Sequence, residues 1–188
     1  TCVTRDDLPD GGAGLMAETI RAIHQRCPET GVEVLCSDYA GNEAALQSVL
    51  EAGPEVFGHN LETVERLTPM IRNKANYRLS LEILSRASAW AARHGGRPRI
   101  KSGLMLGLGE SEQEIRQALA DLRQADVEIV TIGQYLQPGK EQCPVVRHVS
   151  PEEFKHWEQI AEQEFAFKKA VCGPLIRSSY LAEEAYQA

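Results

Sequence analysis

Apolar positions along the 188-residue chain fall into two kinds of run that alternate from end to end. Short, nearly continuous apolar stretches bounded by Gly, Pro, Asn or Asp predict buried strands. They cover residues 32–36, 55–60 (a short strand together with its C-terminal loop), 99–105, 127–132 and 170–172. Between them lie longer segments whose apolar residues recur three and four apart, as one buried helix face requires. These are residues 15–26 with Ile20, Ile23 and Cys27, the segment after Asn42 with Leu46, Val49 and Leu50, residues 62–72, and residues 77–93 with Leu81, Leu84, Ala87 and Ala91. Two further helices announce their starts. Ser111 with Glu114 fits a capping box, and Ser150 followed by Pro151 pairs an N-cap with the first helical position. Asn42 reads as an N-cap in the same way. Cys2-Val3 reads as the end of a further strand, which together with the non-Met start predicts truncation at the N-terminus.

Five β segments separated by helices imply parallel strands joined by crossovers, so the fold class is α/β. An open doubly wound sheet and a (β/α) barrel both fit, and both gather function in the loops at the strand C-termini. The chain's less ordinary residues fall there: Arg5-Asp6-Asp7, Asp38, His59-Asn60, Gly107-Leu108-Gly109-Glu110, Gln134-Tyr135 and Arg177-Ser178-Ser179-Tyr180. No linker, repeat or low-complexity run divides the chain, which predicts one domain over 1–188. Within it, 1–149 carries most strands and helices, and 150–188 the last helix and a C-terminal extension.

Charge narrows the partners. With 20 Lys+Arg against 27 Asp+Glu the net charge is −7, which disfavours bulk nucleic-acid or anionic-membrane binding. The longest apolar run, residues 103–108, is far short of the ~20 needed to span a bilayer, so no membrane partner is expected. Cys2, Cys27, Cys36, Cys143 and Cys172 are scattered without a CxxC or CxxxC pair, so the chain itself encodes neither a zinc knuckle nor an iron–sulfur loop. Buried thiols in a reducing compartment are the simplest reading.

Each strand-end motif has a structural reading beside a functional one. The run from Arg5 to Gly12 also fits a turn closed by Asx hydrogen bonds. His59-Asn60 also fits a satisfied core pair. Gly107-x-Gly109 lacks the third glycine of a dinucleotide fingerprint and suits a tight turn or close backbone approach to a ligand. The Tyr135 phenol could reach a backbone partner. A hydroxyl pair beside a cation, as in Arg177-Ser178-Ser179, could hold an anion, a phosphate or a metal-bound oxygen.

Five of these stretches occur in a shared order that resembles lipoyl synthases, a family of radical S-adenosylmethionine enzymes. They are Arg5 to Ala13, His59 to Val64, Lys101 to Glu110, Thr131 to Pro138 and Arg177 to Tyr180. The resemblance implies a partial (β/α)6 TIM-like barrel of the radical SAM type with a C-terminal extension. It implies radical-mediated insertion of two sulfur atoms at C6 and C8 of a protein-bound octanoyl group. The cofactors implied are S-adenosyl-L-methionine and two [4Fe-4S] clusters, whose cysteine ligands would lie upstream of Thr1. The partners implied are octanoylated lipoyl-carrier domains (dehydrogenase-complex E2 subunits and the glycine cleavage H protein), an electron donor such as flavodoxin or ferredoxin, and iron–sulfur carrier proteins. A cytoplasmic location goes with these.

On the same resemblance Asn60, Glu62, Ser80, Gly107, Gly109 and Glu110 are the expected cofactor-binding residues. Ser179 is the expected metal ligand, through its hydroxyl oxygen on the auxiliary cluster, with Ser178 as the alternative. A barrel-derived binding module without catalysis is the competing expectation for function.

Overall fold

The computed structural model describes residues 1, 5 and 7–179. The strand end expected at Cys2-Val3 and the side chain of Tyr180 lie outside the described residues. Five parallel strands form one sheet in the order β1-β2-β3-β4-β5: β1 (Glu33–Leu35), β2 (Val56–Gly58), β3 (Arg99–Leu106), β4 (Ile129–Gln134) and β5 (Lys169–Gly173). Sequential order with every pair parallel is what helical crossovers produce. The sheet is open, an α/β arrangement consistent with part of a barrel.

Local sequence sets the helices that alternate with the strands. α1 (Ala13–Arg26) follows Asp10, whose carboxylate accepts from the Gly12 and Gly14 N–H groups at 2.9 and 2.8 Å. The Asx turn anticipated there is therefore present. α2 (Glu43–Glu51) starts at Asn42, whose side chain accepts from Ala45 N at 3.1 Å. A one-turn helix, α3 (Thr68–Ile71), precedes α4 (Tyr77–Arg93), which Asn76 caps. α5 (Glu112–Gln124) has both halves of its capping box, and α6 (Pro151–Gln159) is capped by Ser150 and runs into a π-helical turn, Ile160–Glu164. Tyr77 and Asp121 tie α4 to α5 through a buried 2.9 Å hydrogen bond.

One predicted element is corrected. Residues 62–72 do not form a helix: Glu62 sits at φ 68°, donating its N–H to Gly103 O at 2.9 Å and accepting from Met105 N at 2.8 Å. The bridge to β3 and the positive φ keep Glu62 out of any helix, and helical structure in this segment is confined to a 3-10 turn at Glu65–Leu67 and α3.

The two faces of the sheet differ. Val34, Phe57, Ile100, Val130, Ile132 and Ala170 belong to the core, where alternation sends them toward the helices. The opposite face carries Glu33, Lys101 and a row of glycines at its C-terminal end. Gly103 pairs with Thr131, Met105 with Gly133, and Gly133 with Gly173. Chain beyond β5 turns back over this row: a Cβ on Gly133 would lie 2.5 Å from Ile176 O, and one on Gly173 3.2 Å from Ile176 Cγ1.

Candidate functional site

The strand C-termini enclose a cavity of about 400 Å³, a size suited to a cofactor or small ligand. Asn60 and Glu62 line it from the loop after β2, Gly103 and Met105 from β3, Thr131 and Gly133 from β4, and Ile176, Arg177 and Ser178 from the segment after β5. A larger groove of about 580 Å³ lies between α2 and α4 and includes Leu46, Arg86 and Trp90. It belongs to the helical layer, whereas ligands in parallel α/β folds bind at the strand ends.

The 59–62 loop is held from both sides. His59 N donates to Lys101 O at 3.1 Å, and Leu61 N donates to the buried Ser102 hydroxyl at 3.2 Å. From the other side Arg72 Nη1 donates to Asn60 O at 3.2 Å and to Leu61 O at 3.4 Å. Glu62 is the electrostatic singularity of the cavity. Burial pushes its carboxyl above the usual range, against the opposing pull of the Asn60 hydrogen bond and the Arg72 charge. Its positive φ is a strained conformation for a residue with a side chain, and such strain concentrates at functional sites.

The other residues expected at a cofactor are placed as follows. Ser80 is fully buried in the first turn of α4, bonded to His59 and Arg72 rather than lining the cavity. Glu110 is buried and spends its carboxylate on its own turn, accepting from Gly107 N at 2.7 Å and Leu108 N at 2.9 Å. Gly107, at φ 104°, is approached by the protein itself, since a Cβ there would collide with Gln134 Nε2 and stand 2.5 Å from Arg147 O. Gly109 is exposed and keeps φ 98°. Gln134 stitches this turn to the chain after β4, donating to Leu106 O, Tyr135 O and Arg147 O and accepting from Val149 N at 2.8 Å. The Tyr135 phenol reaches Cys143 O at 2.8 Å. Ser178 lines the cavity and Ser179 is exposed.

Arg72, Thr131 and the glycine pair Gly103 and Gly133 were not singled out from sequence as site residues. The glycines had a legible signal, since glycine inside a strand marks a close approach. Arg72 did not, because it falls in the segment read as a helix.

The cavity's donor set can be tested against the expected cofactors. An acid (Glu62), an amide (Asn60), a hydroxyl (Thr131) and a guanidinium (Arg177) stand around strand backbone left bare at Gly103 and Gly133. Groups of both charge signs beside neutral hydrogen-bonding groups suit a zwitterionic amino-acid moiety and ribose hydroxyls, so S-adenosylmethionine fits. Iron–sulfur clusters do not find a complete ligand set. Among the described residues no three His, Cys, Asp or Glu side chains converge on a metal position. Burial, followed by Glu158 and Glu162, pushes the Cys172 thiol far above its usual value, so it stays protonated.

The sequence pattern of the Radical SAM superfamily matches residues 3–122, which covers β1 to β3 and most of α5. The chain belongs to the radical SAM superfamily.

Within that superfamily its similarity is to lipoyl synthases. It is 51% identical to the lipoyl synthase of Pyrobaculum calidifontis over 99% of this chain and 62% of that protein. It is 49% identical to the mitochondrial lipoyl synthase of Nematostella vectensis (98% of this chain, 61% of that protein) and 49% identical to that of Thermus thermophilus (99% and 56%). The chain thus spans about three-fifths of the length of these relatives.

Proposed function

We propose that this chain is the larger part of a lipoyl synthase, an enzyme that inserts two sulfur atoms at C6 and C8 of a protein-bound octanoyl group. The carrying observation is identity near one half over almost the entire chain, and the strand-end cavity lined by Asn60 and Glu62 supports it. When bound, S-adenosylmethionine with its cluster supplies the carbon-centred radical that such chemistry requires. The protein's part is to bind, orient and shield.

We assign direct contact with S-adenosylmethionine to Asn60 and Glu62. The Asn60 amide suits ribose hydroxyls, and the Glu62 carboxylate suits the ammonium group, whose positive charge would pull its pKa down against the effect of burial. Ser80 and the Gly107, Gly109 and Glu110 turn shape the same binding site from behind. Ser179 is assigned as an oxygen ligand of the auxiliary [4Fe-4S] cluster. Among the described residues no three His, Cys, Asp or Glu side chains converge to hold either cluster. Octanoylated E2 and H-protein domains are the proposed acceptors, with a flavodoxin or ferredoxin as reductant and iron–sulfur carrier proteins for repair. Among the described residues no helix is long and apolar enough to cross a membrane.

The test uses the full-length protein, reconstituted anaerobically and given an octanoylated carrier domain. Lipoyl product should form, and Ser179→Ala should abolish it while reductive cleavage of S-adenosylmethionine continues. Ser178→Ala is the matched control, and a dead Ser178→Ala beside an active Ser179→Ala moves the ligand to Ser178. Cofactor binding without any thiolation in the parent would favour a non-catalytic module.

A further inference from the structure

We propose that His59 and Ser80 form a positioning relay that fixes the cofactor-binding loop through Arg72. The inference rests on the assignment of Asn60 and Glu62 to S-adenosylmethionine given above. His59 is buried directly before that loop, and both its ring nitrogens are engaged: Nδ1 stands 2.9 Å from Cys36 O and Nε2 2.9 Å from Ser80 Oγ. A carbonyl oxygen only accepts, so Nδ1 carries the proton. In the neutral ring Nε2 is then bare and can only accept. The Ser80 hydroxyl must therefore donate to His59, which turns its lone pairs outward. Arg72 Nη1 lies 3.3 Å away on that side, donating to Ser80 Oγ and, at 3.2 and 3.4 Å, to the carbonyls of Asn60 and Leu61.

The polarity of the chain is set from one end. Cys36, after β1, fixes the imidazole tautomer, the imidazole orients the hydroxyl, the hydroxyl holds the guanidinium, and the guanidinium pins the two carbonyls next to Glu62. Neither His59 nor Ser80 lines the cavity, so their effect on a ligand must pass through the loop. Burial also holds the imidazole below its usual value, so the ring is neutral at pH 7, as the relay requires.

The experiment measures S-adenosylmethionine binding, the KM for octanoylated carrier domain and the thermal midpoint in the full-length, cluster-loaded protein. Ser80→Cys, which keeps the branching of the side chain and enlarges it only slightly but donates and accepts weakly, should weaken S-adenosylmethionine binding about tenfold. The carrier-domain KM should stay unchanged and the midpoint close to the parent's. Ser80→Thr, which retains the hydroxyl, should restore binding. Adding His59→Gln to Ser80→Cys should cost less than the two single effects combined, because both cut one chain. Parent-like binding in Ser80→Cys overturns the relay, as does a parallel loss of binding, carrier KM and midpoint in every variant. A parent that binds no S-adenosylmethionine overturns the functional reading and the relay with it, so the two failures are distinguishable.

Discussion

The ammonium group of Lys101 lies 2.8 and 3.0 Å from the two carboxylate oxygens of Glu33, bridging β3 to β1 on the inner face of the sheet. Lys101 is only 2% exposed and stands two residues before Gly103, on the same face of its strand. A charge that deep persists because it is paired. The inner face of the sheet thus carries a neutralised ion pair at this level of β3 rather than an apolar contact.

Removing one member should be worse than removing both. Glu33→Gln leaves a buried ammonium without its counter-charge and should cost about 3 kcal/mol of unfolding free energy. Adding Lys101→Met should recover most of that loss. Urea unfolding of the two variants checks it, and a double variant as weak as Glu33→Gln would contradict it.

Glu62 should make the protein less stable than it could be at neutral pH. Its folded pKa lies above the ordinary 4.5, so the folded state binds more protons than the unfolded between 4.5 and the raised value. Stability therefore falls as pH rises through that window. Glu62→Gln cannot ionise, and its ligand-free thermal midpoint should exceed the parent's at pH 7 and converge with it as pH falls to 4.5. The same variant should bind S-adenosylmethionine more weakly, a trade of stability for function.

His59 works in the opposite sense. Its folded pKa lies below the ordinary 6.5, chiefly through burial. Its contribution is complete above pH 6.5 and is lost as pH falls from there toward the folded value, because only the unfolded chain takes up the proton. Thermal midpoints of the parent should decline over that interval more steeply than those of His59→Gln. Equal slopes would place the acid sensitivity elsewhere.

Gly133→Ala should displace the segment after β5 while leaving the sheet intact. The new methyl would stand 2.5 Å from Ile176 O, a contact that forces movement, and the exposed chain at Leu175 is easier to shift than a central strand. Faster proteolytic cleavage near residues 174–179, with little change in circular dichroism, is the expected result. An unchanged cleavage rate would mean the segment does not rest on Gly133.

Periodicity and end signals made most elements legible. Asn42, Ser111 and Ser150 marked helix starts correctly because a cap is a local interaction between a side chain and the N–H groups just beyond it. The segment from Glu62 to Arg72 misled for the converse reason: its apolar spacing suits a helix, but the bridge of Glu62 to Gly103 and Met105 is a long-range pairing that spacing does not encode. The site was legible as a set of strand-end residues. Its depth was not, since only the tertiary fold shows that Ser80 and Glu110 are enclosed while Asn60 and Glu62 face open space. Arg72 was hidden altogether by the same misread helix.

The row of glycines under Ile176 has a consequence for how this cavity can change. A wall of side chains can be recut one substitution at a time, by trading a larger residue for a smaller one. Where the wall is bare peptide, at Gly103 and Gly133, nothing is left to remove, and the contour is dictated by the ladder that holds β3, β4 and β5 in register. Diversification of what the cavity accepts is therefore channelled to its rim, into the loop after β2 and the chain beyond β5, while the floor remains a fixed template.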